Sequence, residues 1–182
     1  MDPWDRHAGA SLPAVAMWER CVVHQVKLDL PDETRNSVIA LMQPRLAEAI
    51  DLATQAKQAH WNVKGPNFIA LYDLFDRVAR EAGGYGDLIA ERIAALGGAA
   101  EGTARIVSER STLPRYPLNI TKGSAHVEAL SNTLAAFCAS VRAAIDVSVK
   151  IGDLGTADIF VEISRSTDRY LWLVQAHTGD RA

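Results

Sequence analysis

Four stretches of the chain place apolar residues at helical spacing, and none alternates as a strand would. Between Asp32 and Trp61, Val38, Leu41, Met42, Leu46, Ala49, Ile50, Ala53 and Ala56 recur three or four positions apart, which predicts one long amphipathic helix. Pro44 is discordant there, because a proline inside a helix removes a backbone donor and predicts a kink or restart. A second helix is predicted from about Asn67 to Leu96, stopped by Gly97-Gly98, with Gly65-Pro66 turning the chain back between the two. Two more fall at roughly 124–151 and 155–177, separated by Gly152-Asp153-Leu154-Gly155, where Asp153 or Thr156 can cap the last helix. A short helical segment at 103–110 and a loop holding Pro114 and Pro117 separate the two helical pairs. Ahead of Asp32, Pro3, Pro13 and Pro31 in a stretch of mixed polarity predict an irregular arm over residues 1–31, with at most a short element around 15–30.

The pattern contains no repeat. Four helices with one long crossover between the second and third, and a short extra helix within it, predict an all-α, ferritin-like four-helix bundle over residues 32–182. Composition agrees with a single domain: 182 residues, 48% hydrophobic and 23% charged. No run approaches the roughly 18 to 20 apolar residues of a membrane span, and Met1-Asp2-Pro3-Trp4-Asp5-Arg6 lacks a signal peptide's basic start and apolar core, so no membrane and a cytoplasmic location are expected. Cys21 and Cys138 lack metal or redox spacing and read as buried, reduced thiols.

The chemistry gathers on the second helix. Asp76, Asp87 and Glu91 stand 11 and 4 residues apart, close to three turns and one turn, so they share a face that Tyr72 extends by one further turn. Carboxylates beside apolar Leu71, Phe75 and Leu88 need a cation or partner to offset their desolvation. Eleven residues place Asp76 roughly 16 Å from Asp87 along the axis, whereas metal–oxygen distances are about 2.0 to 2.6 Å. One centre therefore cannot take both from one chain. An antiparallel copy across a two-fold axis would bring Asp76 of one chain to Asp87 and Glu91 of the other, with His60 completing each of two sites. The chain also lacks the Glu-x-x-His pair of an intra-bundle di-iron site. Gly83, Gly84 and Gly86, between the half-sites, leave two outcomes open: a helix break that destroys the phase, or small residues that let two helices cross closely.

These residues carry a family resemblance. His60-Trp61-Asn62-Val63-x-Gly65-x-Asn67-Phe68, then Leu74-x-Asp76, Asp87-x-x-x-Glu91-Arg92, Leu96-Gly97-Gly98 and Gly102-Thr103 resemble the Dps family, the DNA-binding proteins from starved cells. The likeness spans about residues 32–177 and includes Tyr116-Pro117 and Thr156-Ala157-Asp158. It implies a hollow dodecamer built from two-fold dimers, whose inter-subunit ferroxidase centres oxidise Fe(II), preferably with hydrogen peroxide rather than O2, and store ferric mineral. The family's ligands fall on His60, Asp76, Asp87 and Glu91, with Trp61 as an oxidisable neighbour. Iron (Fe2+/Fe3+) is the implied metal, and the same nitrogen and oxygen donors suit Zn2+ or Mn2+.

Tyr72 departs from the pattern, which usually has a second histidine there, and a neutral phenol is a poorer iron ligand than an imidazole. It can ligate as phenolate, hold a bridging water or fill space. Asp146, Asp153 and Asp158 fall where the family's pores collect acidic residues, with helix capping as the ordinary alternative. His7, His24, His126 and His177 lack ligand spacing and read as surface or capping residues, Lys64 as a solvated charge, and Trp4, Trp18 and Trp172 as packing residues.

Two other functions compete. Direct DNA compaction, in a nucleoid-associated protein with secondary ferroxidase activity, would draw on a Lys-rich tail, but residues 1–20 hold Arg6 and Arg20 against Asp2, Asp5 and Glu19, with a net charge of -3 overall. DNA binding is therefore expected to be weak or absent, although twelve tails on one particle would add avidity. A purely structural bundle would instead pair the acidic stripe with Arg77, Arg80 or Arg92.

Overall fold

The computed structural model describes residues 24–178, and among them every regular element is helical. α1 runs Asp32–Asn62, α2 Phe68–Ala95, α3 Ala104–Arg110, α4 Gly123–Ile151 and α5 Leu154–Gln175. α1 packs along α2 and α4 along α5, as the short connections between them require, and α1 against α4 joins the two hairpins. The predicted fold class is therefore observed, with boundaries within a residue or two.

Pro44 lies inside α1 without dividing it. The carbonyl that loses its donor belongs to Ala40, which is exposed, so water can satisfy it. Only part of the apolar pattern of α1 enters the bundle. Val38, Met42, Leu46, Ala49 and Ala56 are buried in one cluster with Phe75, Phe137 and Phe160, whereas Ile50 and Ala53 are partly buried at its edge and line a groove.

Polar side chains of α1 hold the crossover in place. Glu48 accepts hydrogen bonds from Thr112 (2.7 Å) and Ser140 (2.5 Å), Asp51 accepts from Ser111, and Gln55 donates to the Pro114 carbonyl (3.0 Å). Glu48 and Gln55 are buried, and such groups are tolerated inside only when bonded. At the other end, Gly97 adopts φ 91° and its carbonyl accepts the His24 N–H at 2.6 Å; a Cβ there would lie 2.4 Å from the His24 carbonyl oxygen.

α4 ends in a Schellman motif. Gly152 is left-handed at φ 91°, its N–H bonds back to Val149, and the Asp153 N–H bonds to Ser148. Asp153 then caps α5 by accepting the Thr156 N–H at 3.1 Å. Trp172 departs from its packing assignment and is 65% exposed, while Trp4, Trp18, His7 and Cys21 lie outside the described residues.

Candidate metal centre

The acidic face of α2 survives intact because the helix runs unbroken through Gly83, Gly84 and Gly86. A Cβ at Gly83 or Gly84 would meet nothing within 4 Å, and the neighbouring Ala82, Tyr85 and Ile89 are buried firmly enough to hold the helix. Gly83 and Gly86 instead line an open, mainly apolar groove of about 900 Å³ with Ile50, Trp61, Asp87 and Tyr116. Trp61 is 66% exposed there.

At the first half-site, the end of α1 brings His60 against Tyr72. The His60 ring lies 3.8 Å from the Tyr72 ring between centroids, and its Nδ1 is 2.8 Å from the Tyr72 carbonyl oxygen. A carbonyl only accepts, so Nδ1 donates and Nε2 is the nitrogen left for a metal, the arrangement that orients an imidazole ligand. The ring is buried, so little freedom is left to lose on binding.

Asp76, one turn beyond Tyr72, is already engaged. Lys57 Nζ donates to Oδ1 at 2.8 Å and Arg80 approaches Oδ2 at 3.2 Å. The Lys57 hydrogen bond, opposed by desolvation and assisted by Arg80 and His60, holds the Asp76 carboxyl below the usual carboxylate range. Lys57 also sits 5.9 Å over the Trp61 ring. This cation was not singled out in the sequence, although its spacing of three and four residues from His60 and Trp61 places it on the same helix edge.

Asp87 and Glu91, three and four turns along, are exposed. Among the described residues no three His, Cys, Asp or Glu side chains come close enough together to hold a metal ion. One chain thus presents two separated donor groups: His60 with Asp76, and Asp87 with Glu91.

A ferritin-like domain model matches residues 39–181. A DNA protection during starvation protein of Agrobacterium fabrum is 42% identical over 159 residues, covering 87% of this chain and 98% of that protein. The chain belongs to the Dps family. Solved Dps structures share its fold: Mycobacterium smegmatis Dps at TM-score 0.82 and 29% identity, covering 86% of this chain and 96% of that one. Dps from Microbacterium arborescens in its high iron form gives 0.78 at 31% identity, covering 84% and 99%.

Within this Dps chain the three candidate pore residues differ in their surroundings. Asp153 is 3% exposed, and both its oxygens bind Arg92, at 2.9 and 2.8 Å, and Thr156. Its carboxylate is engaged in capping and in the Arg92 pair, the ordinary alternative to a pore role. Asp146 and Asp158 are exposed. Arg92, offered above as a partner for the acidic stripe, is spent on Asp153 instead, and of the three arginines only Arg80 pairs with the stripe. His126 also corrects its surface assignment: it is buried in α4 with Nδ1 2.6 Å from the Tyr116 hydroxyl. Cys138 is buried as expected, and burial pushes its thiol up to about 12. No helix among the described residues is long and apolar enough to cross a membrane.

Proposed function

We propose that this Dps protein is a ferroxidase and iron store whose centres form between subunits. The observation that carries the reading is the division of donors along one unbroken helix: His60 and Asp76 at one end of its face, Asp87 and Glu91 at the other. Two antiparallel copies crossing at the glycine-lined groove would bring the halves together twice, and the family's dodecamer is the assembly that such dimers would build.

Fe(II) is the substrate. His60 Nε2 and the carboxylates of Asp76, Asp87 and Glu91 supply one nitrogen and several hard oxygens, a set that favours Fe(III) over Fe(II) and so assists loss of an electron to peroxide or O2. Iron bound at Asp76 must displace Lys57, so the lysine keeps the resting carboxylate charge-balanced and is repelled when a cation arrives. Tyr72, 38% exposed with its ring on His60, is placed to orient that ligand, and the second iron position depends on the partner's carboxylates more than on this phenol.

DNA protection, printed in the names of several relatives, would follow from removing iron and peroxide together, without direct contact with DNA. The test is anaerobic loading of the assembled protein with Fe(II), followed by peroxide or air in parallel, reading ferric absorbance and hydroxyl-radical yield. Rapid peroxide-driven oxidation with few radicals is expected; oxidation no faster than in a protein-free control would refute the reading.

A further inference from the structure

Tyr116 and His126 take no part in the proposed iron chemistry, and their arrangement asks for another use. Tyr116 stands in the crossover and lines the same groove as Trp61 and Asp87. Its hydroxyl lies 2.6 Å from His126 Nδ1. His126, in the first turn of α4, is 1% exposed, and its Nε2 is shut off from solvent with no partner.

A phenol is a better donor than a neutral imidazole N–H and a weaker acid than an imidazolium, so Tyr116 donates to Nδ1 and keeps its proton. Burial disfavours both ions: it holds the His126 imidazolium below its ordinary range and pushes the Tyr116 phenol well above its own. The resting pair is therefore neutral. As a mere staple for the crossover it is an inefficient choice, because the orphaned Nε2 carries a desolvation cost that an apolar side chain would avoid. A base held at 2.6 Å from a phenol has a use when the phenol loses an electron, since the radical cation then formed is a strong acid.

We propose that Tyr116 and His126 form a proton-coupled redox pair that reduces one-electron oxidants of the hydroxyl-radical class generated beside the groove. In the step, Tyr116 gives one electron to the oxidant, a hydroxyl radical becoming hydroxide. The phenolic O–H bond breaks and an N–H bond forms at His126 Nδ1. The products are a neutral tyrosyl radical and an imidazolium, so charge and protons balance without water reaching the site. That such oxidants arise beside the groove rests on the peroxide chemistry proposed above; the pair itself does not.

The test uses iron-free, fully assembled protein and azide radicals generated by pulse radiolysis, with tyrosyl radical followed by transient absorbance and electron paramagnetic resonance. The wild-type protein is expected to give a tyrosyl signal that loses its main component in Tyr116→Phe. In His126→Phe the same radical should form about a hundredfold more slowly, the scale of an aligned base. Transfer of the wild-type protein to D2O should slow it too, a readout that needs no variant to fold. A tyrosyl signal undiminished in Tyr116→Phe, or one that forms as fast in His126→Phe or in D2O, would overturn the proposal. Because iron is absent throughout, that failure would leave the ferroxidase reading standing.

Discussion

Asp76 and Asp153 are each held by a basic side chain from another helix, yet they belong to different kinds of site. Asp153, at the start of α5, is 3% exposed, and its two oxygens are shared among Arg92, the Thr156 hydroxyl and the Thr156 N–H. Asp76 is a quarter exposed, with one lysine, one exposed arginine and the His60 imidazole around it. A carboxylate with every lone pair committed inside the protein fastens two helices together. One whose partners are flexible and solvated can exchange them for a metal ion. Local charge alone would not have separated the two, because both carboxyls sit below the usual range: in Asp153 burial opposes the charge and the Thr156 and Arg92 bonds outweigh it, whereas in Asp76 the Lys57 bond leads.

The contrast can be broken at either end. Asp153→Ala should cost about 3 kcal/mol, since it strands Arg92 and removes the α5 cap, and should lower the denaturation midpoint without changing the iron oxidation rate per folded site. Asp76→Ala should do the reverse: stability within about 1 kcal/mol of wild type, and initial iron oxidation reduced by roughly tenfold to a hundredfold. Glu91→Ala should slow early oxidation by about tenfold with assembly intact, and an unchanged rate would remove Glu91 from the centre. Lys57→Gln should raise the Fe(II) affinity of the resting protein about two- to fivefold in anaerobic titration, because a competing cation of surface-pair strength has gone.

The smallest effect is in acid. A carboxyl whose folded pKa is depressed binds fewer protons folded than unfolded, so its stabilisation is full above the unfolded value of about 4 and fades as pH falls through the lower folded value. Asp153→Asn should therefore flatten the loss of stability below about pH 4, read by urea unfolding across that range.

Most of the fold was legible because its signals are periodic. Helical spacing set all five elements, and Gly152 and Asp153 marked the α4–α5 junction with the residues such a junction needs. The acidic face was legible too, once eleven residues were read as three turns. Phase could not decide whether three glycines break a helix; buried Ala82, Tyr85 and Ile89 decided it. Tertiary partners were the hidden part. Arg92 reaches Asp153 across 61 positions and Tyr116 reaches His126 from the crossover, so neither the Arg92 partner of Asp153 nor the burial of His126 had a local signature. Trp172 shows the converse, an aromatic at helical spacing that points outward.

The central claim is that each centre takes its halves from two chains, and complementation tests it most directly. Asp76→Ala and Glu91→Ala chains, each slow alone, would be unfolded together, reassembled in equal amounts and assayed for initial iron oxidation. Half of the dimers are then mixed, and in each of these one site has Asp76 from one chain and Glu91 from the other, both intact, so oxidation should recover to about a quarter of the wild-type rate. Recovery to no more than the average of the two variants would show that Asp76 and Glu91 of different chains do not share a centre and contradict the account.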